Sequence, residues 1–287
     1  MKTFKTKTYS IATEKLRGKR PVKFALLADM HGLSFGRGNS GLFRRIMLEK
    51  PDAVLIAGDM TYSGRQDTMR EITGFMRRLA GNFRVYYALG NHETRMMLDP
   101  LMSEEYCLFE KNLSGAGVRF LHNEHDSVRI QGTDFVFYGL ELPVEYYRKP
   151  KPPVLTLEEM ETLIGKPDRE GIHVLLAHSP RFGKTYFSWG ADLILSGHYH
   201  GGMVRFTERR GLISPYFQPF PAFCCGEFKK KDSRMIVSAG LGEHTIPIRI
   251  HNPRELVFIE LTPPAGGRRA GERTAVREKQ ESTEYGD

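Results

Sequence analysis

The chain has 287 residues, 42 basic and 34 acidic, with a formal net charge of +8 and 40% apolar residues. That balance suits one large domain or two small ones with a substantial core, and it excludes a wholly disordered or collagen-like chain. No apolar run approaches the ~20 residues of a membrane span, and the basic N-terminus lacks the apolar stretch of a secretory signal. Three cysteines, Cys107, Cys224 and Cys225, are too few for a disulfide framework and favour a reducing, cytoplasmic compartment.

Residues 1–20 hold most of the charge. Lys2, Lys5, Lys7, Lys15, Arg17, Lys19 and Arg20 stand against Glu14, a net of +6, while residues 262–287 are balanced and the body carries only +2. A basic arm on a nearly neutral body is weak evidence for nucleic-acid binding. Phe4, Thr6, Thr8 and Ser10 interleave with lysines, which predicts an edge strand whose charges block sheet aggregation. The same charges suit peripheral contact with an anionic membrane.

Next come short apolar runs without alternation: 22–28, 53–57, 85–89, 173–177, 191–195 and 234–239. Such runs read as strands buried on both faces. Helical spacing separates several of them, with Leu42, Phe43, Ile46 and Met47 in 41–50 and Met69, Ile72, Phe75, Met76 and Leu79 in 65–80. Thr156 and Glu159 form a capping-box pattern opening a helix over 156–164. Strands alternating with helices imply an α/β layered fold. Residues 118–139 read as an antiparallel meander, and 246–262 as two strands paired around His251-Asn252-Pro253. No internal repeat divides the chain, so a single domain is expected over 1–262. A flexible tail is expected over 263–287, where apolar residues almost vanish.

The C-terminal ends of the buried runs carry the chemistry. They read Asp29-Met30-His31-Gly32, Gly58-Asp59, Gly90-Asn91-His92-Glu93, His178 and Gly197-His198-Tyr199-His200. Ligands gather beyond the carboxyl ends of strands in α/β sheets. Each residue alone has an ordinary explanation as a cap, turn or half-buried histidine. Together, five strand ends deliver two aspartates, one asparagine and five of the ten histidines to one edge. Imidazole, carboxylate and amide oxygen without cysteine suit Mn²⁺, with Zn²⁺ or Fe as alternatives. Seven candidate ligands (Asp29, His31, Asp59, Asn91, His178, His198, His200) exceed one catalytic ion and suit two divalent ions, with Asp59 as the bridging carboxylate. Such a pair can clamp a phosphoryl group and hold a bridging hydroxide as nucleophile. His92 is then the candidate catalytic proton donor, and Glu93 a carboxylate that orients a ligand from behind.

This ordered set resembles the calcineurin-like metallophosphoesterase superfamily, across five blocks spanning residues 29–200. The resemblance implies a four-layer α/β/β/α sandwich with mixed sheets and two divalent ions. It implies that Asp29, His31, Asp59 and His200 hold one ion and Asp59, Asn91, His178 and His198 the other, with His92 outside the ligand set. Gly201-Gly202-Met203-Val204-Arg205, Ser238-Ala239-Gly240-Leu241-Gly242 and Asn252-Pro253-Arg254-Glu255 extend the likeness toward the YkuE/YaeI-like branch over roughly 22–262. Some members of that branch act on a nucleotide-sugar pyrophosphate bearing lipid, and many have an N-terminal membrane helix, which is not found in this sequence. Gly58-Asp59 continues Met60-Thr61-Tyr62 rather than the Asp-Arg-Gly of phosphoprotein phosphatases, so that activity is disfavoured.

The expected reaction is metal-dependent hydrolysis of a phosphoester or pyrophosphate on a phosphorylated small molecule or a lipid-linked substrate. A nucleotide or nucleic-acid phosphodiesterase is the alternative within the class, and a non-catalytic binding module using the basic arm is the alternative outside it. Phe217 and Phe220, in the Pro-rich loop 211–226, and Arg148, in the loop 141–153, are candidate substrate contacts. His122 and His125 read as ordinary surface histidines, and Cys224-Cys225 as two reduced thiols.

Overall fold

The computed structural model describes residues 2–65, 67–149, 153–168, 170–214, 218–243, 248–264 and the backbone of 275–281. Within these lie the strands β1 (Phe4–Ala12), β2 (Val22–Leu27), β3 (Ala53–Ala57), β4 (Arg84–Ala88), β5 (Val118–Phe120), β6 (His125–Ile130), β7 (Thr133–Leu140) and β8 (Ile172–Ala177). They continue with β9 (Leu193–Ser196), β10 (Arg205–Thr207), β11 (Arg210–Gly211), β12 (Gly226–Lys230), β13 (Ser233–Val237), β14 (Glu255–Thr262) and β15 (Ala275–Glu281). The helices are α1 (Ser40–Glu49), α2 (Asp67–Ala80), α3 (Asn91–Leu98), α4 (Ser103–Gly115), α5 (Leu157–Ile164) and α6 (Gly183–Trp189).

Two mixed sheets face each other. The first runs β15-β1-β14-β2-β3-β4-β5, the second β12-β13-β9-β8-β7-β6, and β10-β11 form a small ribbon. The sequence of β3 explains the layering. Ala53, Leu55 and Ala57 point into the core between the sheets, while Val54 and Ile56 point into the core beneath the helices, because successive side chains leave a strand on opposite faces. Both faces are therefore apolar. Phe24 meets Phe135 and Phe137 edge-on between the sheets. Helices α1 to α4 cover the outer face of the first sheet, and α5 and α6 cover that of the second. The arrangement is the expected α/β/β/α sandwich.

The helices form where spacing dictates. In α2, Met69, Ile72, Phe75, Met76 and Leu79 are all buried, with Asp67 in the first turn and Arg77 and Arg78 in the last, charges that complement the helix dipole. Thr156 caps α5, accepting the Glu159 N–H at 3.1 Å while Glu159 accepts the Thr156 N–H at 2.7 Å. Three helices were not anticipated. In α4 the buried Tyr106, Phe109 and Leu113 share one face, but the stripe is narrow and flanked by charge.

Other expectations are corrected. The meander 118–139 is split: β6 and β7 pair antiparallel in the second sheet, whereas β5 pairs parallel with β4 in the first. Residues 248–250 form no strand beyond one Val204–Ile250 bridge, and β14 instead pairs with β1 and β2. The basic arm is not at the edge, because β1 lies between β14 and β15. Its Thr6, Lys7 and Tyr9 are buried, with Lys7 Nζ 5.3 Å from the Tyr9 ring centre. Within the tail set apart by composition, β15 pairs antiparallel with β1. Among the described residues, no helix is long and apolar enough to cross a membrane.

His122 is not an ordinary surface histidine. Its Nε2 lies 2.8 Å from Glu110 on α4 and its Nδ1 2.9 Å from Glu141 beyond β7, so it latches the two halves of the sandwich. The two carboxylates push its pKa up to about 10. A raised histidine pKa contributes stability that is fully present below the unfolded value near 6.5 and is lost as pH rises toward 10. Urea unfolding is therefore expected to show the wild type losing its advantage over His122→Gln between pH 6.5 and 10. Parallel pH profiles for the two proteins would refute the latch.

Candidate metal centre

Strand ends of both sheets converge on one edge. Asp29 and His31 follow β2, Asp59 follows β3, Asn91 opens α3 after β4, His178 follows β8, and His198 and His200 follow β9. The connecting backbone is cross-stitched: Asp29 N–H donates to Gly58 O, His31 N–H to Asp59 O and Gly197 N–H to His178 O, each at 3.0 Å. Five of the seven residues take left-handed backbone, with φ of 51° at Asp29, 50° at His31, 55° at Asp59, 69° at His198 and 48° at His200. Such conformations cost on the order of 1–3 kcal/mol each and persist where the surroundings over-determine them. Gly90 is required by close approach, since a Cβ there would collide with the Asp59 carboxylate.

Three sets of side chains bring ligand atoms within 4.8 Å of one another: Asp29 with His31 and His200, His31 with Asp59 and His92, and Asp59 with His178 and His198. Asp59 thus stands between the two ends of the cluster. His31 Nε2 lies 3.1 Å from His200 Nε2, and His198 Nδ1 lies 3.2 Å from His178 Nε2. His178 Nδ1 is 2.7 Å from Ala57 O, so that nitrogen donates, and Nε2 lies 2.9 Å from Asp59 Oδ2. Asn91 Oδ1 is buried with no hydrogen-bond partner among the described residues. Such an orphaned acceptor is costly unless a cation sits there. Acceptors converging from seven side chains, with no thiolate among them, fit divalent ions bound through oxygen and imidazole nitrogen.

The electrostatics are those of a dense, water-poor cluster. Burial, reinforced by the Asp59 charge and opposed by His178, pushes Asp29 up to about 7. Burial also acts to raise Asp59, but His178 and His92 outweigh it and hold that carboxyl well below the usual range. For His178 burial acts downward and is overcome by Asp59, leaving it at about 9. His92 is lowered by burial, against the pull of Asp59.

His92 is held differently from the other histidines. Its backbone N–H donates to Asp59 Oδ1 at 2.9 Å. The Ser63 N–H donates to its Nδ1 at 3.2 Å, with the Ser63 hydroxyl 2.8 Å from the same atom. With Nδ1 accepting, the ring proton belongs on Nε2. Glu93 is fully buried: its carboxylate accepts the N–H groups of Asp59 (2.8 Å), Gly90 (3.0 Å) and Thr61 (3.0 Å), and the hydroxyls of Thr61 (3.0 Å) and Tyr87 (2.9 Å).

Of the predicted substrate contacts, Arg148 lines the cleft that Ser63 also borders. Phe220, 65% exposed, lines a different pocket of about 510 Å³ with Arg209, Arg210 and Phe223, and Phe217 lies outside the described residues. Sequence reasoning missed other neighbours. Tyr62 packs 4.6 Å from His92, ring centre to ring centre; Tyr147, in the loop already singled out with Arg148, is buried 5.4 Å from His198. Asn252 Nδ2 donates to His200 O at 2.6 Å. Arg249 donates to Gly242 O at 2.6 Å and to Ala239 O at 3.0 Å. The conspicuous block around Asn252-Pro253 was the available signal, but it has no periodicity to say which side chains turn inward.

A model of the calcineurin-like phosphoesterase family matches residues 22–202. The Caenorhabditis elegans protein F40B5.2 is 28% identical over 84% of this chain, which spans 48% of that protein's length. YpbG of Bacillus subtilis is 24% identical over 90% of this chain and 88% of its own. The phosphodiesterase YaeI of Escherichia coli is 25% identical over 64% of this chain and 63% of its own.

Proposed function

The chain belongs to the calcineurin-like phosphoesterase family, hydrolases acting on phosphoester bonds, and from that membership we propose a dinuclear centre with His92 as proton donor. The supporting observation is that Asp59 converges with His31 and His92 on one side and with His178 and His198 on the other, while Asp29, His31 and His200 form a third set; Asn91 Oδ1 is in addition buried without a hydrogen-bond partner among the described residues. Asp29, His31, Asp59 and His200 hold one divalent ion, and Asp59, Asn91, His178 and His198 hold the other, with Mn²⁺ the proposed metal. Bound there, the ions supply charge neutralisation at the phosphoryl oxygens and activation of water. The protein's own groups do the rest. Ser63 fixes the His92 tautomer with the ring proton on Nε2, the atom that protonates the departing oxygen. Burial lowers the His92 pKa, which favours the neutral ring that carries its single proton on Nε2. Glu93 locks the Asp59 backbone, so the carboxylate enters the site at a fixed angle.

The substrate is a phosphorylated small molecule, nucleotide-linked or lipid-linked. A nucleotide or nucleic-acid phosphodiesterase is the second reading, favoured by the likeness to a phosphodiesterase. The binding-module alternative loses its premise because part of the basic arm is a sheet strand with Lys7 buried. In an assay of Mn²⁺-loaded protein on bis(p-nitrophenyl) phosphate, hydrolysis is expected to cease with EDTA. His92→Ala is expected to lower kcat by roughly 10²–10⁴, with metal content by elemental analysis unchanged. Full activity in that variant, or loss of metal from it, would exclude His92 as a donor outside the ligand set.

A further inference from the structure

The cleft beside His92 holds more positive charge than proton donation requires. Ser63, which contacts His92 Nδ1, borders a cleft of about 950 Å³ whose wall also includes Arg95 from α3 and Arg148 and Lys149 from the loop after β7. Leu98 and Pro100 supply an apolar flank. Asp99 is the one acidic side chain on that wall among the described residues, and its carboxylate already accepts the Leu101 N–H at 2.9 Å. Arg148 has Glu145 at 3.4 Å. Burial, with Arg95 as the neighbouring like charge, holds Lys149 below the usual ammonium range. Like charges gathered at the mouth of a site cost free energy, which an anion placed among them recovers.

We propose that this cleft is an anion subsite on the leaving-group side, so that the substrates are phosphoanhydrides or related compounds whose departing group carries its own phosphate. The proposal rests on His92 being the donor to the leaving oxygen. Water forms a P–O bond to the phosphorus held at the centre, and the P–O bond on the cleft side breaks. The bonding pair leaves with the bridging oxygen, which takes the His92 Nε2 proton, and the proton lost by the attacking water passes to solvent. A phosphate-terminated leaving group departs into Arg95, Arg148 and Lys149. A phenol or plain alcohol makes no such contact. The second phosphate can belong to a nucleotide or to a lipid-linked diphosphate, since the cations read only the phosphate.

The test compares Arg95→Gln/Lys149→Gln with wild type on ADP-ribose and on a polyprenyl diphospho-sugar in detergent micelles. Each kcat/KM is taken as a ratio to that for bis(p-nitrophenyl) phosphate. At least one ratio is expected to fall about tenfold or more. Lys229→Gln/Lys230→Gln, an equal charge loss on the β12–β13 hairpin, is expected to leave both in place. Calorimetric titration of EDTA-treated protein with inorganic pyrophosphate is expected to give salt-sensitive binding that the first variant weakens to a similar degree. Unchanged ratios for both diphosphates, or pyrophosphate affinity indifferent to Arg95 and Lys149, overturn the subsite. Pyrophosphate binding that depends on these residues, without hydrolysis of any substrate, would overturn the phosphoesterase reading and leave the subsite standing.

Discussion

Asp59→Asn is expected to lower metal-dependent phosphodiester hydrolysis by roughly 10³-fold or more, about 4 kcal/mol of transition-state stabilisation. Asp59 stands in one ligand set with His31 and in another with His178 and His198, so its replacement weakens both ends of the cluster. Asparagine keeps the shape but removes the charge, and one carboxylate oxygen becomes an NH₂ that donates where the site needs an acceptor. Oδ1 now accepts the His92 N–H and Oδ2 lies 2.9 Å from His178 Nε2, so either orientation of the amide spoils one contact. Elemental analysis should show metal loss together with the loss of rate, while circular dichroism shows the fold retained. Wild-type activity with full metal content would remove Asp59 from the bridging role.

Glu93→Ala is expected to have the largest effect on stability, about 3 kcal/mol or more, as a fall in melting temperature of roughly 6–12 °C. The carboxylate is completely buried and accepts five hydrogen bonds. Its removal strands three backbone N–H groups and two hydroxyls away from water, each unsatisfied donor costing about 1–3 kcal/mol before relaxation. Glu93→Gln should recover only part of the loss, because its NH₂ must face donors in either orientation. Activity should fall further than stability alone explains, since the Asp59 N–H is among the released groups. A melting temperature within about 2 °C of wild type would mean that water replaces the carboxylate.

Much of the centre was legible before the structure because its residues sit at strand ends. Strand β3 shows why. Five apolar residues in a row can only be buried on both faces, which ends the strand at Ala57 and places Gly58-Asp59 just beyond it. The same logic located Asp29, Asn91, His178 and His198. It failed for β5, whose alternating Val118-Arg119-Phe120 suits either sheet, and for residues 248–250, whose alternation suggests a strand that the backbone does not make. Arg249 and Asn252 reach the site from that irregular segment. His122 looked solvated because its carboxylate partners come from positions 110 and 141, which no local spacing relates to it.

The sequence by itself determined the α/β class, most of the buried strands and the capping of α5, and it nominated seven candidate ligands and His92. These follow from periodicity and from side-chain chemistry, both of which are local. Tertiary structure decided which sheet each strand joins and that β1 lies between β14 and β15. It also decided that Glu93 serves three backbone donors, that Ser63 fixes the His92 tautomer, and that Arg95, Arg148 and Lys149 share one cleft. Those facts depend on pairings between segments far apart in the chain, and their geometry is set by packing, which no pattern of neighbouring residues encodes.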